Sequence, residues 1–163
     1  MIDHEPEPIS PANRKARVHR IDEIGRRLGF EGEIEYRHVY SRSGGAQYCV
    51  GPSADGDLLV VYAEAFERDA NPDDFPLEAI IAHECGHQIL QRNPNIHRIR
   101  QRFPGERFEE ILASVLGSLL LGESKESRTL FWKASLELAE LGISASAVEE
   151  YIQRLQQLLR HFL

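Results

Sequence analysis

The segment Ala82-His83-Glu84-Cys85-Gly86-His87 carries the pattern H-E-x-x-H, and the rest of the chain is interpreted around it. It lies within Leu77–Gln91, where the apolar run Ile80-Ile81-Ala82 predicts a buried helix. Two histidines four residues apart on a helix lie on the same face, one turn apart. Neutral imidazoles in this arrangement can bind one zinc ion together, and a glutamate beside the first histidine can act as a general base. The motif therefore predicts a zinc-dependent hydrolase site and favours a peptidase.

A catalytic zinc site of this kind needs a third protein ligand and an open position for water. In one arrangement a third histidine follows six residues after the second, but that position is Asn93, so we exclude this variant. His97 lies beyond the helix-ending pair Asn93-Pro94 and is a minor candidate. The other arrangement takes a glutamate from a following helix.

The predicted helix Glu106–Leu121 offers three glutamates, Glu106, Glu109 and Glu110. The face through Glu110 carries mostly small residues, which would allow a close approach to the histidine helix, whereas the face through Glu109 suits ordinary packing. A glutamate on an otherwise apolar helix needs a partner, which a metal ion provides. We therefore predict Glu110 as the third ligand in preference to Glu109. Ser114, one turn later, is placed to hydrogen-bond a ligand histidine.

The composition is that of an ordinary globular domain. The 163 residues are 42% hydrophobic and 28% charged, which excludes collagen-like, disordered and disulfide-dense classes. The net charge of −7 argues against nucleic acid or an anionic membrane as the main partner. We predict a single domain over residues 1–163, with a flexible lead-in at 1–9 and a C-terminal helical part at 123–163, in an oligomeric state that the sequence leaves open.

Neither a targeting signal nor a membrane span is evident. The acidic N-terminus lacks the basic and apolar regions of a signal peptide. The longest apolar run, Ile111–Leu121, is too short to cross a bilayer and is interrupted by polar and small residues. The two cysteines, Cys49 and Cys85, have no C-x-x-C neighbour, which favours reduced thiols. We expect a soluble, cytoplasmic protein.

Three short strands are predicted after a first helix that begins at Ser10-Pro11 and ends at Gly29. Alternating polar and apolar residues predict a half-buried strand over 33–40, and turn residues separate it from strands at Ala46–Val50 and Leu58–Ala63. The third strand is apolar enough to be central. Short connections favour antiparallel neighbours, so we expect a meander that forms a mainly antiparallel sheet.

Helices are predicted for most of the remaining chain. After the motif helix, a short helix is indicated within Asn95–Phe103, followed by Glu106–Leu121 and by a helix over residues 123–141. The sequence Ser146-Ala-Val-Glu149 is a capping box that predicts the start of the last helix. This order predicts an α+β fold with helices on one side of a three-stranded sheet.

These motifs resemble those of the small gluzincins, in particular the ImmA/IrrE-type and minigluzincin zinc peptidases. Those proteins typically show H-E-x-x-H or H-E-x-G-H on one helix, then a helix resembling E-x-x-A-N/D followed by small and apolar residues. Here Ala82–His87 is followed by Glu110-Ile-Leu-Ala-Ser114 and Leu119–Leu121, and the resemblance covers about Leu58 to Leu121. Serine replaces the usual aspartate or asparagine at 114. No helix-turn-helix segment is evident, so a regulatory partner would be a separate chain.

The resemblance implies a zincin-like fold with one zinc ion bound by His83, His87 and Glu110. Glu84 then serves as the general base and acid for hydrolysis of peptide bonds by a zinc-activated water. An edge strand before the motif helix is implied to align the peptide or protein substrate.

The sequence leaves two questions open. The oxyanion of the reaction needs a further donor, usually His, Tyr or Arg, and His97, Tyr151, Arg128 and others are all candidates. The helices from Glu123 onward are long enough to cover a cleft, and some small gluzincins resemble this in being self-inhibited. The alternatives to a peptidase are a latent or non-proteolytic zincin-like protein that binds a regulatory partner, and a metal-free interaction module.

Overall fold

The computed structural model of the protein describes residues 5–163, so the predicted flexible lead-in at 1–9 falls partly outside the described residues. Within the described part, Ile9 packs against the core, and the carbonyl oxygen of Glu7 lies 2.6 Å from Nε2 of His38. The elements, in chain order, are α1 (Pro11–Arg27), β1 (Glu33–Arg37), β2 (Ala46–Cys49), β3 (Leu58–Tyr62), α2 (Ala63–Ala70), α3 (Leu77–Arg92), α4 (Pro94–Arg102), α5 (Glu106–Leu121), α6 (Lys125–Glu140) and α7 (Ala145–Arg160).

The three strands form a mixed sheet in the order β1-β3-β2, which confirms the α+β class and the central position of β3. Strand β2 pairs with β3 antiparallel, but β1 pairs with β3 in parallel, in a register that joins Glu33 to Leu58 and Arg37 to Tyr62. The predicted meander and mainly antiparallel sheet are therefore wrong. The reason is that Leu59–Tyr62 is buried throughout, and a β1-β2 hairpin would leave this apolar strand at an edge.

The helix predictions hold with small changes of boundary. Ser10 caps α1, its Oγ atom accepting a hydrogen bond from the backbone N–H of Asn13 at 3.1 Å. The last helix is capped by Ser144, and not by the predicted capping box at Ser146, because Ser144 already accepts the first helical bonds through its carbonyl oxygen. Helix α2 (Ala63–Ala70) escaped prediction because its only fully buried residues are two small ones, Ala63 and Ala65.

Two hydrophobic cores meet along α3 and α5. The first joins the sheet to α1 and α3 and includes Ile21, Leu59 and Ile81; the second joins α4, α5, α6 and α7 around Leu112 and Ile152. All five side chains are fully buried, and burial of each contributes about 1.5–3 kcal/mol. The motif helix and the helix bearing Glu110 are therefore fixed between the two cores.

The cysteine prediction agrees with the structure, since Cys49 and Cys85 are both free thiols. None of the helices in residues 5–163 combines the length and the hydropathy needed to span a bilayer.

Candidate metal centre

Helix α3 presents both motif histidines on one face. The ring centroids of His83 and His87 lie 4.8 Å apart, with the ring planes at 84°, and their Nε2 atoms are separated by 3.2 Å. Only 10% and 14% of the two side chains are exposed. The four-residue spacing thus yields two converging nitrogen atoms, as helical geometry requires.

Glu110 on α5 reaches both histidines. Its Oε2 atom lies 2.7 Å from Nε2 of His83, and its Oε1 atom lies 3.2 Å from Nε2 of His87. Glu109 instead pairs with Arg100 on α4, with 3.1 Å between Oε1 and Nε. The structure therefore brings Glu110, rather than Glu109, to the histidines, while its role as a ligand stays a prediction.

Two glycines allow α3 and α5 to pack closely beside this cluster. A Cβ atom on Gly86 would lie 2.3 Å from the carbonyl oxygen of Ala113, and one on Gly117 would lie 2.8 Å from that of Ala82. Both separations are too short for a real Cβ atom, so these positions need glycine while the helices keep this spacing. The close approach brings the carboxylate of Glu110 within reach of the histidines.

Ser114 hydrogen-bonds the first motif histidine, as predicted. Its Oγ atom lies 2.9 Å from Nδ1 of His83, and both side chains are buried. This contact orients the ring so that Nε2 faces Glu110 and His87. The serine thus holds the ring in the orientation that a metal ligand needs.

The cluster could hold a metal ion. One ligand atom from each of His83, His87 and Glu110 lies within 4.8 Å of the others. Because a single proton cannot satisfy two ring nitrogens and a carboxylate that converge on one point, a cation at that point would satisfy all three.

The charge states of His83 and Glu110 also favour a cation. Burial lowers the pKa of His83 to about 4, so this ring is neutral at pH 7. Burial alone would raise the pKa of Glu110, but its hydrogen bonds to both histidines hold that pKa well below the usual range. The result is an ionised carboxylate beside a neutral imidazole, which is the state in which both groups bind metals.

Glu84 lies beside the cluster on the wall of an open cavity of about 500 Å³. Burial raises the pKa of its carboxyl group to about 7, and the nearby carboxylate of Glu110 adds to this effect. A carboxyl group with such a pKa can both take and return a proton at neutral pH. The other walls are formed by the loop and edge strand Ser43–Tyr48, Val50, Arg68, Phe75, Ala79, Ile80, Gln91, Glu109, Leu130 and Lys133.

A buried ionic network fastens the edge strand to the motif helix, and sequence reasoning missed it. The carboxylate of Asp57 accepts hydrogen bonds from Tyr48 on β2 at 2.5 Å, from Gln88 on α3 at 3.0 Å and from Arg92 on α3 at 2.6 Å. Although burial opposes ionisation, these donors hold the pKa of Asp57 far below its ordinary value. In the sequence, the only indication of this network is that Asp57 stands directly before the apolar strand that begins at Leu58.

The structure does not bring the named oxyanion candidates to the cluster. Nδ1 of His97 lies 3.0 Å from the carbonyl oxygen of Leu90, Tyr151 packs against the second core, and Arg128 lines a different cavity. Lys133, which sequence reasoning did not single out, lines the cavity beside His83, His87 and Glu110 instead. In the sequence, the only indication of this placement is that Lys133 lies one turn after the apolar residue Leu130 on the predicted helix.

Comparisons with protein-family models, with curated proteins and with solved structures find no significant match to this chain.

Proposed function

We propose that this protein is a zinc-dependent peptidase of gluzincin type, with a zincin-like fold. The observation that carries the proposal is the convergence of His83, His87 and Glu110 in an open cavity that Glu84 also lines. Two nitrogen donors and one carboxylate, with space left at the cavity, are the ligand set of many catalytic zinc sites.

The spacing of the donor atoms leaves room for a tetrahedral zinc ion. With metal–ligand bonds of about 2.0–2.1 Å, neighbouring donors around a tetrahedral zinc ion lie about 3.3 Å apart. The separations between Nε2 of His83, Nε2 of His87 and the carboxylate oxygens of Glu110 are 2.7 to 3.2 Å. Only small side-chain movements are needed to place the ion.

Zinc, when bound there, acts as a Lewis acid toward the scissile carbonyl group and lowers the pKa of a bound water. Glu84 takes the proton of the attacking water and returns it to the leaving amine. The buried Ser114 hydroxyl holds the ring of His83 with Nε2 directed at Glu110 and His87. The Asp57 network keeps β2 beside α3, so that cavity and cluster stay together.

Strand β2 supports a peptide as the substrate. It is an edge strand that pairs with β3, and three of its residues, Ala46–Tyr48, line the cavity. The free edge of such a strand offers backbone N–H and C=O groups to an extended peptide, which can add to the sheet as a further strand. A bound peptide would then run alongside Glu84.

The open cavity favours a peptidase over a latent protein. Helix α6 contributes Leu130 and Lys133 to its wall, and among the residues that the structure describes none from α7 lines it. The side chain of Glu110 is 45% exposed even though the two histidines are largely buried. The C-terminal helices therefore form a side of the cavity without filling it.

The test is cleavage of casein and of a mixed fluorogenic peptide library by zinc-loaded protein. We expect cleavage by the wild type, and a loss of at least about 100-fold in Glu84→Gln with zinc content unchanged, because this variant lacks only the proton acceptor. Glu109→Gln, which alters a glutamate of the same cavity that is paired with Arg100, serves as the control and should keep its activity. A zinc-loaded wild type that cleaves none of these substrates would overturn the proposal.

A further inference from the structure

Lys133 projects from α6 toward the cavity of the metal cluster. It lies three residues after Leu130, and both residues line the cavity wall, so this face of α6 is directed toward the cluster. His83, Glu84 and Glu110 line the same cavity. Helix α6 thus places a cation on the wall of the cavity that these acidic groups also line.

The other cation of the cavity, Arg68, is already paired with a carboxylate of the protein. Its guanidinium group donates to Oδ1 of Asp74 at 2.8 and 2.9 Å and lies over the ring of Phe75, 4.9 Å from its centroid. Among the described residues, Lys133 has one hydrogen-bond partner, Glu137, at 2.6 Å. An ammonium group has three N–H donors, so two of them are left for a ligand in the cavity.

The pair between Lys133 and Glu137 fixes the position of the ammonium group more than it stabilises α6. A lysine followed by a glutamate four residues later is the less favourable order for an isolated helix. The pair is also partly exposed, which limits its contribution to folding. What the pair does provide is a fixed position for the ammonium group beside Glu137, one turn further along α6.

We propose that Lys133 is the residue that binds the oxyanion of the substrate during peptide hydrolysis. The inference rests on the proposed peptidase function. As the water oxygen bonds to the carbonyl carbon, one water proton passes to Glu84 and the electron pair of the C=O bond moves onto the carbonyl oxygen. The ammonium group donates a hydrogen bond to that oxygen. The pair then re-forms the C=O bond, the C–N bond breaks, and Glu84 returns the proton to the amine nitrogen.

This role requires stronger binding in the transition state than in the ground state, because the full negative charge exists only after attack. A lysine that merely anchored a substrate carboxylate would bind both states equally. Loss of an oxyanion donor therefore lowers kcat, whereas loss of a substrate anchor raises KM.

The experiment compares wild type, Lys133→Met and Lys133→Arg, each loaded with zinc, on a fluorogenic peptide that the wild type cleaves. We expect Lys133→Met to lower kcat by about 100-fold, as loss of an oxyanion donor does, with KM changed by no more than about twofold. Lys133→Arg should recover part of the loss because it keeps a cation. The control is Lys125→Met, which removes the other lysine of α6, a residue that lines a separate cavity.

A second readout does not depend on turnover. A phosphinic peptide mimics the anionic tetrahedral state, and calorimetry should show that Lys133→Met weakens its binding by about the same factor as kcat, since such analogues follow transition-state affinity. Zinc content should equal that of the wild type. If kcat and phosphinic-peptide affinity in Lys133→Met stay within about twofold of the wild type, or if only KM rises, the assignment is wrong. A wild type that neither binds zinc nor cleaves peptides would instead defeat the proposed function, and this inference with it.

Discussion

The Oγ atom of Ser114 lies 2.9 Å from Nδ1 of His83, across the ring from the nitrogen that meets Glu110. A hydrogen bond at this position orients a ligand histidine, and its loss typically costs about 10–100-fold in metal affinity. We expect Ser114→Ala to weaken zinc binding by this factor in a competition titration with a chelator. Ser118→Ala is the control, because that buried hydroxyl donates only to the Val115 carbonyl oxygen of its own helix. Equal zinc affinities for the two variants would contradict the role of Ser114.

The choice between the two adjacent glutamates of α5 can be tested in the same titration. Loss of a group that hydrogen-bonds a metal ligand typically weakens metal binding by about 10–100-fold. Glu110→Gln should weaken zinc binding by more than this, since the variant removes a proposed ligand. Glu109→Gln should bind zinc like the wild type, because Glu109 pairs with Arg100. If Glu109→Gln weakens zinc binding more than Glu110→Gln does, Glu109 is the third ligand.

The close contact of α3 with α5 predicts a sharp penalty at Gly86. A methyl group there meets the carbonyl oxygen of Ala113 at 2.3 Å, so Gly86→Ala must separate the helices and move Glu110 away from the histidines. We expect a loss of about 1–3 kcal/mol in the free energy of unfolding, together with weaker zinc binding.

The control for this substitution is Gly25→Ala on α1. There the new methyl group meets only the flexible end of the Ile34 side chain, at 2.5 Å, and alanine raises helix propensity. Urea unfolding measures the free energy of unfolding of both variants. If Gly86→Ala costs no more stability than Gly25→Ala, the packing argument for the site is wrong.

The buried Asp57–Arg92 pair predicts how stability depends on pH. The pKa of Asp57 is lowered in the folded protein, so its contribution is fully present above the pKa of the unfolded chain, about 3.9, and is lost as the pH falls through the folded pKa. Asp57→Asn should cost about 3–5 kcal/mol at pH 7, because it leaves Arg92 without its charged partner.

The measurement is the free energy of unfolding of wild type and Asp57→Asn at pH 7, 4 and 3. The difference between the two proteins should be largest at pH 7 and should shrink below about pH 4. Asp55→Asn, at an exposed carboxylate two residues away, should follow the wild type. A difference that does not change between pH 7 and pH 3 would show that the network stabilises the fold without depending on the charge of Asp57.

The cluster of His83, His87 and Glu110 could be predicted from sequence because helical spacing sets the face on which each member lies. The spacing of His83 and His87 follows from helix geometry, and the small face of Glu106–Leu121 indicated both a close helix contact and the inward position of Glu110. Helix boundaries were equally accessible, since Ser10 and Gly29 mark the ends of α1.

The parts that escaped prediction depend on contacts distant in sequence. The parallel pairing of β1 with β3 arises because the apolar strand Leu58–Tyr62 is buried between two neighbouring strands. The residues of the turns do not predict which strands these will be. Asp57 and Lys133 look like ordinary surface charges in the sequence. Only the folded chain shows that Asp57 is buried beside Arg92 and that Lys133 faces the cluster.

The central claim is that His83, His87 and Glu110 bind one zinc ion, and X-ray diffraction at the zinc absorption edge tests it most directly. Crystals grown with one equivalent of zinc should show a single anomalous peak about 2.0–2.1 Å from Nε2 of both histidines and about 2.0–2.2 Å from a carboxylate oxygen of Glu110, with one position open to the cavity. No peak at this cluster, or a peak whose ligands do not include Glu110, would contradict the account.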